Sequence, residues 1–141
     1  MKAKSTLNFQ LSEFKCPCCG ENKITGALVT KLQRLRDMIN MPIHITSGYR
    51  CAEYNKKIGG YSDSPHIKGK ACDITANIPI WFLAKMAKEV GFTRVGLYPN
   101  NGFIHVDLMK PSPSASWIRR GGVYTYYKTL EEAIKNYGNQ T

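Results

Sequence analysis

The sequence predicts an α+β fold, a single domain with a mostly antiparallel sheet and flanking helices. Segments with the two-residue alternation of strands are interrupted by segments whose apolar residues recur at helical spacing. A Pro-Asn-Asn-Gly turn at 99–102 joins two strand-like segments, which is typical of an antiparallel hairpin. The 141 residues contain no internal repeat and suffice for one core. These observations indicate strands and helices arranged around one hydrophobic core.

The N-terminal part is predicted to be an irregular segment followed by a helix. Residues 1–25 carry turn signals at a cysteine-rich stretch and at Gly20. Thr25 offers an N-cap, and the leucines at 28, 32 and 35 recur at helical spacing. Pro42 ends this helix, since proline cannot continue the hydrogen-bonding ladder.

The middle of the chain alternates between β-rich, helical and breaker-rich segments. Paired glycines at 59–60 and a single glycine at 91 mark the ends of two helical segments. We predict, in order, a strand at 43–49, a helix at 51–58, a loop at 61–70, a strand at 71–76 and a helix at 78–90.

The last third of the chain continues the same pattern. We predict strands at 94–98 and 102–108, a loop at 111–116, a strand at 123–127 and a helix at 130–136. The domain is therefore predicted to span 1–141, with 109–141 as a strand and helix extension of it.

The composition narrows the classes of partner. There are 20 Lys plus Arg against 10 Asp plus Glu, a net charge of +10, which would attract a polyanion such as nucleic acid or an anionic cell wall. The chain has no long Lys/Arg block and no nucleic-acid-binding signature, so we expect no nucleic-acid partner.

The chain also has no apolar run of about 18 residues, so we expect no membrane insertion. The first ten residues lack the apolar stretch of a signal peptide, which predicts synthesis in the cytoplasm. We expect a monomer.

Five cysteines, an odd number, argue against a full disulfide framework. The run Cys16-Pro17-Cys18-Cys19-Gly20 looks like half of a structural zinc site, but a second close Cys or His pair is missing. Buried thiols or one disulfide are the favoured interpretation, and a metal site at Cys16, Cys18 and Cys19 stays open.

Two predicted strands place polar side chains opposite an apolar face. Asp73 alternates with Cys72 and Ile74, and His105 and Asp107 alternate with apolar neighbours in the same way. His66 lies in the loop before the first of these strands. Two histidines and one carboxylate, with a position left for water, are typical of a catalytic zinc site. A histidine in a strand can also be purely structural, so spacing alone leaves both interpretations open.

The third histidine and the aromatic residues give weaker indications of a functional role. His44 alternates with two isoleucines and is predicted to face water. Tyr49, Tyr61 and Trp117 are candidates either for the core or for a substrate groove.

The motifs, taken in order, resemble a known family. Ser64-x-His66-x-x-Gly69-x-Ala71-x-Asp73 is followed by Phe103-Ile104-His105-Val106-Asp107 and preceded by Ile45-Thr46-Ser47-Gly48-Tyr49-Arg50-Cys51. This pattern, spread over 9–108, is similar to the zinc peptidases that include D-alanyl-D-alanine carboxypeptidases and phage-type peptidoglycan endopeptidases, in their small single-domain subgroup. The resemblance implies the fold shared by hedgehog and D-Ala-D-Ala peptidase domains.

The resemblance also implies roles for particular residues. His66, Asp73 and His105 correspond to the zinc ligands of the family. Arg50 corresponds to an arginine near the substrate that stabilises the oxyanion, and it could instead bind a substrate carboxylate. Ser64 is similar to a family position near the metal and is expected to contact substrate.

The chain departs from the family at the general base. Some relatives have a Glu where this chain has Gly102, and others a His where it has Phe103. Neither residue present here can move a proton. Asp107 is the remaining local carboxylate, which could act as the base or orient a ligand.

The resulting expectation is a zinc-dependent peptidase that cleaves an amide bond in peptidoglycan stem peptides. Such an enzyme would be a D-Ala-D-Ala carboxypeptidase or an L-Ala-D-Glu-type endopeptidase, and would act on the wall after release as a phage-type endolysin. The alternative is a weak or inactive cell-wall-binding module of the same fold. A small basic nucleic-acid binder would explain the charge but not the ordered motifs.

Overall fold

The computed structural model describes residues 3–138 of the chain. A short 3₁₀ helix at Leu11–Phe14 precedes four α-helices and six strands. The helices are α1 (Gly26–Ile39), α2 (Ala52–Lys57), α3 (Ile80–Glu89) and α4 (Leu130–Tyr137). The strands are β1 (Ile43–Ser47), β2 (Ala71–Ala76), β3 (Arg94–Tyr98), β4 (Phe103–Asp107), β5 (Ser116–Arg120) and β6 (Val123–Tyr127). The predicted domain limits, 1 and 141, lie outside the described residues.

The six strands form one sheet in the order β1-β2-β4-β3-β5-β6. Every neighbouring pair is antiparallel except β3 and β5, which are parallel. The predicted class, a single α+β domain with a mostly antiparallel sheet and flanking helices, is confirmed. The 99–102 turn joins β3 to β4 as the hairpin that the sequence predicts.

Strand β5 differs from the prediction, which has no strand between 109 and 122. Only Trp117 and Ile118 in this strand are large apolar residues, and two arginines follow them. The strand is stabilised by long-range pairing, with β3 on one side and β6 on the other. No local pattern in the amino-acid sequence predicts such long-range pairing. The parallel contact with β3 is therefore a property of the tertiary fold.

The core lies between the helices and one face of the sheet. Ile74, Ile104 and Val106 from the central strands are fully buried and share this core with Leu32 of α1 and Leu83 of α3. The alternation predicted for β2 and β4 is thus observed on its apolar side. It leaves the opposite face of the central strands for polar side chains. Within residues 3–138, no helix is long and apolar enough to cross a membrane.

Candidate metal centre and groove

The polar face of the central strands brings Asp73 and His105 directly together. Strands β2 and β4 pair so that Asp73 lies opposite His105 in the antiparallel register. Oδ1 of Asp73 is 3.2 Å from Nδ1 of His105. Both residues are buried, at 7% and 5% exposure. The sheet therefore fixes the relative position of these two side chains.

The loop before β2 brings His66 to the same point. The backbone N–H of His66 donates to Ser64 Oγ, and its carbonyl accepts from the backbone N–H of Arg50. Nδ1 of the ring lies 2.8 Å from the carbonyl oxygen of Gly48. Since a carbonyl only accepts, Nδ1 carries the proton, and Nε2 presents a lone pair.

That lone pair is directed into the cluster. Nε2 of His66 is buried and has no hydrogen-bond partner among the described residues, although Oδ1 of Asp73 lies 3.3 Å away. One donor atom from each of His66, Asp73 and His105 lies within 4.8 Å of the others. Two imidazole nitrogens and a carboxylate oxygen at this spacing could hold a divalent ion. The three predicted residues are therefore brought together in one buried cluster.

The charge of Asp73 is stabilised by its neighbours. Burial alone would raise the pKa of its carboxyl group, but electrostatic attraction to the neighbouring imidazoles of His66 and His105 and the hydrogen bond from His105 hold it well below its usual range. Nη2 of Arg50 approaches Oδ2 at 3.6 Å. Asp73 is therefore ionised at neutral pH and is available as an anionic ligand.

His105 lies between two carboxylates. Its Nε2 is 2.7 Å from Oδ2 of Asp107, on the side of the ring away from Asp73. Burial alone would lower the pKa of His105, but hydrogen bonds with Asp107 and Asp73 and their charges raise it to about 9. In the metal-free protein His105 is therefore protonated at neutral pH. A cation at the cluster would have to displace the proton on Nδ1.

Asp107 is fully buried, and both of its oxygens accept hydrogen bonds. Arg94 binds it as a fork, with Nε 3.0 and 3.1 Å from the two oxygens and Nη2 2.8 Å from Oδ2. The backbone N–H of Met109 donates to Oδ1. Burial would raise the pKa of Asp107, but the bonds with His105 and Arg94 lower it. Of the two predicted roles for Asp107, this geometry favours orienting His105 over accepting a proton from water.

Arg50 is held at the edge of the cluster by side-chain contacts. Its Nε donates to Ser47 Oγ at 3.2 Å, and its Nη1 donates to Asn55 Oδ1 at 2.8 Å. Asn55 is itself held by donating to the carbonyl of Tyr61. Nη2 remains beyond hydrogen-bond distance of Asp73. The guanidinium is thus positioned with one nitrogen next to the candidate metal position.

A groove of about 650 Å³ opens onto the cluster. Arg50, Ser64 and all three residues of the cluster line it. One wall of the groove carries aromatic side chains from β3, β4, β5 and β6, namely Tyr98, Phe103, Trp117, Tyr124 and Tyr126. The groove can therefore bind an extended ligand that has both polar and apolar parts.

Trp117 forms the part of this wall next to the cluster. Its ring centroid lies 5.1 Å from that of His105, and its Nε1 donates to the hydroxyl of Tyr98. The indole lies directly on Gly96, where an added Cβ would come within 2.3 Å of the ring. Gly96 is therefore needed for the position of Trp117, and the sequence offers no signal for this contact.

The aromatic predictions had mixed outcomes. Trp117 and Tyr61 line the groove, whereas Tyr49 is buried in the core at 3% exposure. His44 is exposed on β1, as predicted. The sequence gives no role to Arg94, Tyr124 or Tyr126, because their places depend on β5 and β6 packing beside β3.

The two positions where the family resemblance leads us to expect a general base, Gly102 and Phe103, have other roles here. Gly102 has a φ of +74° in the hairpin turn, a conformation that favours glycine. Phe103 stacks on Tyr98, with ring centroids 4.5 Å apart. Among the described residues, Asp63 and Asp73 are the only carboxylates that line the groove.

Comparison with known proteins gives consistent results. A family model described as Peptidase M15 matches residues 4–107. A probable peptidoglycan L,D-endopeptidase MepK of Haemophilus influenzae is 36% identical over 84 residues, 55% of this chain and 44% of that protein. The zinc D-Ala-D-Ala carboxypeptidase of Streptomyces albus G is 38% identical over 88 residues, 57% of this chain and 34% of that protein.

A third relative, the peptidoglycan L,D-endopeptidase MepK of Escherichia coli K12, is 29% identical over 102 residues, 67% of this chain and 54% of that protein. The chain thus spans about a third to a half of the length of these curated relatives. The family match covers most of the chain, including the loop and the two strands that carry the cluster. The chain therefore belongs to the peptidase M15 family.

Proposed function

We propose that this protein is a zinc-dependent peptidase that hydrolyses an amide bond in the stem peptides of bacterial peptidoglycan. The observation that carries the proposal is the buried cluster of His66, Asp73 and His105 at the base of an open groove. His66, Asp73 and His105 would be the zinc ligands.

The residues fit a zinc ion for a reason independent of the family. A buried histidine nitrogen without a hydrogen-bond partner among the described residues costs free energy, and Nε2 of His66 is such an atom. A cation between Nε2 and Asp73 would satisfy it. Two nitrogens and one oxygen leave a fourth tetrahedral position, which is the arrangement of catalytic zinc sites.

The ion, when bound, supplies a Lewis acid that activates water and polarises the substrate carbonyl. The chain's own residues set the geometry. The carbonyl of Gly48 holds the proton of His66 on Nδ1, and Oδ2 of Asp107 holds that of His105 on Nε2. Each hydrogen bond leaves the other ring nitrogen free to bind the metal.

Arg50 would stabilise negative charge on the substrate. Its fixed guanidinium lines the groove next to Asp73 and offers forked N–H donors. It would donate to the carbonyl oxygen as charge develops during attack, or to a terminal carboxylate. Ser64 also lines the groove, and its hydroxyl would contact substrate there. Asp107 would act as a positioning residue through His105.

The substrate class rests on the relatives and on charge. Their names include both a D-Ala-D-Ala carboxypeptidase and L,D-endopeptidases that act on peptidoglycan. A net charge of +10 favours residence on an anionic wall, and Arg119, which lines the same groove as Arg50, can pair with carboxylates of a stem peptide. We propose that the protein acts on the wall as a monomer, in the manner of a phage-type endolysin.

A second candidate is a non-catalytic wall-binding module. Gly102 and Phe103 favour it, because neither can serve as a general base at the positions where the family resemblance implies one. Such a module would keep the metal cluster and the groove but release no product.

Digestion of purified peptidoglycan, with the products identified by mass spectrometry, separates the two candidates. The zinc-loaded protein should shorten muropeptides, while chelation or His66→Ala should abolish the change. His44→Ala is the matched control, because His44 is exposed and outside the cluster. Loss of one alanine would identify a carboxypeptidase, and larger fragments an endopeptidase. Intact muropeptides from several wall types, with zinc bound, would leave the binding module as the function.

A further inference from the structure

A second group of potential metal ligands lies outside the groove, at the N-terminal segment. Cys16 and Cys19 lie in one turn, and Cys51 lies 35 residues after Cys16. One Sγ atom from each of these three residues lies within 4.8 Å of the other two. The missing partner of the cysteine-rich run is therefore Cys51, which sequence spacing does not reveal.

The turn that carries the first two cysteines is closed by backbone hydrogen bonds. The N–H of Gly20 donates to the carbonyl of Cys16, and the N–H of Cys16 donates to the carbonyl of Glu21. Gly20 has a φ of +75°, which a glycine adopts without strain. A Cys-x-x-Cys-Gly turn of this kind presents both sulfurs on the same side, as structural zinc sites require.

Backbone N–H groups surround the sulfur of Cys16. The N–H of Cys51 lies 3.4 Å from it, and those of Cys18 and Cys19 also donate to it. The N–H of Tyr54 lies 3.4 Å from the sulfur of Cys51 at the start of α2. Backbone N–H groups are therefore in place to donate to these sulfurs when they bind a metal as thiolates.

The sulfur spacing matches a shared ion better than a disulfide. The sulfurs of Cys16 and Cys51 are 3.7 Å apart. Four sulfurs arranged tetrahedrally at about 2.3 Å from one zinc ion lie ~3.8 Å from each other. A disulfide would require about 2.05 Å between the sulfurs.

A fourth thiol, that of Cys18, is close to the thiol of Cys51. Cys18 is exposed on the same turn, and its thiol interacts with that of Cys51. By contrast, the fifth cysteine, Cys72, is fully buried in the hydrophobic core. The chain therefore has four thiols grouped at the N-terminal turn and the start of α2, and one distant thiol that can serve as a control.

We propose that Cys16, Cys19 and Cys51 bind a second zinc ion, with Cys18 in the fourth position. The site would tie the N-terminal turn to the start of α2. Cys51 directly follows Arg50, so the ion would also fix the chain at the arginine of the groove. This inference is independent of the proposed function, because it uses none of the residues of the first cluster.

Zinc content per chain, measured on full-length protein purified under reducing conditions, tests the site. We expect two ions in the wild type, one in Cys19→Ser, one in His66→Ala and none in the double variant. Cys72→Ala is the matched control and should keep two. Cys19 is exposed, so its replacement is compatible with folding, which circular dichroism would check.

Cobalt substitution provides an independent measurement of the ligand type. Co²⁺-loaded His66→Ala should show the sulfur-to-cobalt charge-transfer absorption of a thiolate site, and Cys19→Ser should lose it. A wild type with a single ion that Cys19→Ser retains would overturn the proposal. A disulfide between Cys16 and Cys51 in protein that is purified under reducing conditions with zinc supplied would also overturn it. Because His66→Ala removes only the first cluster, failure of one site is distinguishable from failure of the other.

Discussion

Replacement of Asp107 by Asn separates the two roles that this residue could have. Oδ2 of Asp107 accepts from His105 Nε2 and from Arg94 Nη2, while Oδ1 accepts from the backbone N–H of Met109 and from Arg94 Nε. Both oxygen positions thus face N–H donors. An asparagine must present its NH₂ group to donors in either orientation, so one side of the network is lost.

The loss has two consequences of different size. If the amide NH₂ faces His105, the ring must accept at Nε2 and carry its proton on Nδ1, which removes the lone pair proposed to bind zinc. Loss of a partner of this kind typically lowers metal affinity by about 10–100-fold. Arg94 would also lose the charge of its partner, and breaking a buried ion pair costs about 3–5 kcal/mol. Because the side chain of Arg94 is 25% exposed, we expect the lower end of that range.

The assay is a zinc competition titration against a chromophoric chelator, with urea unfolding of the same samples. Asp37→Asn is the matched control, because it makes the same chemical change at an exposed position on α1. The positioning role predicts weaker zinc binding in Asp107→Asn and no change in the control. If zinc affinity stays at the wild-type value while kcat falls by about 10²–10⁴, Asp107 is the general base and the reasoning is refuted.

Three further predictions concern the groove and the charges around it. Arg50→Lys loses the contacts with Ser47 and Asn55, so we expect kcat to fall by about 10²-fold while the zinc content stays unchanged. A kcat equal to that of the wild type would exclude Arg50 from charge stabilisation. In steady-state kinetics, Trp117→Ala should raise KM more than it lowers kcat, because the indole forms the groove wall beside His105. An unchanged KM would mean that the substrate does not contact this wall. In chelated protein, the raised pKa of His105 stabilises the fold fully below about 6.5, and this contribution is lost as the pH rises through about 9. The difference in unfolding free energy between wild type and His105→Gln should therefore shrink over that range, and a constant difference would contradict the assignment.

Local sequence patterns were sufficient to predict which faces of the central strands β2 and β4 are buried. The alternation of Asp73 and His105 with apolar neighbours correctly predicted which side of each strand enters the core. The sequence also predicted that the loop carrying His66 would approach these strands, through the family resemblance rather than through spacing. The exact register of Asp73 against His105 is a long-range property of the β2–β4 pairing.

Features that depend on distant pairing could not be predicted. Strand β5 exists because β3 and β6 flank it, and its Trp117 occupies the space that Gly96 leaves open. The fork between Arg94 and Asp107 joins neighbouring strands and was not expected from either segment. The approach of Cys51 to Cys16 similarly depends on the packing of the N-terminal segment against the residues that follow β1, where the N–H of Tyr49 donates to the carbonyl of Phe14.

Anomalous diffraction at the zinc absorption edge, from crystals of the zinc-loaded protein, tests the central claim most directly. We expect an anomalous peak about 2.0–2.2 Å from Nε2 of His66, from Nδ1 of His105 and from one oxygen of Asp73. A peak at the cysteines would be a separate site and would not replace this one. Zinc-loaded crystals with no peak between these three side chains, or with the ion bound through Nε2 of His105, would contradict the account.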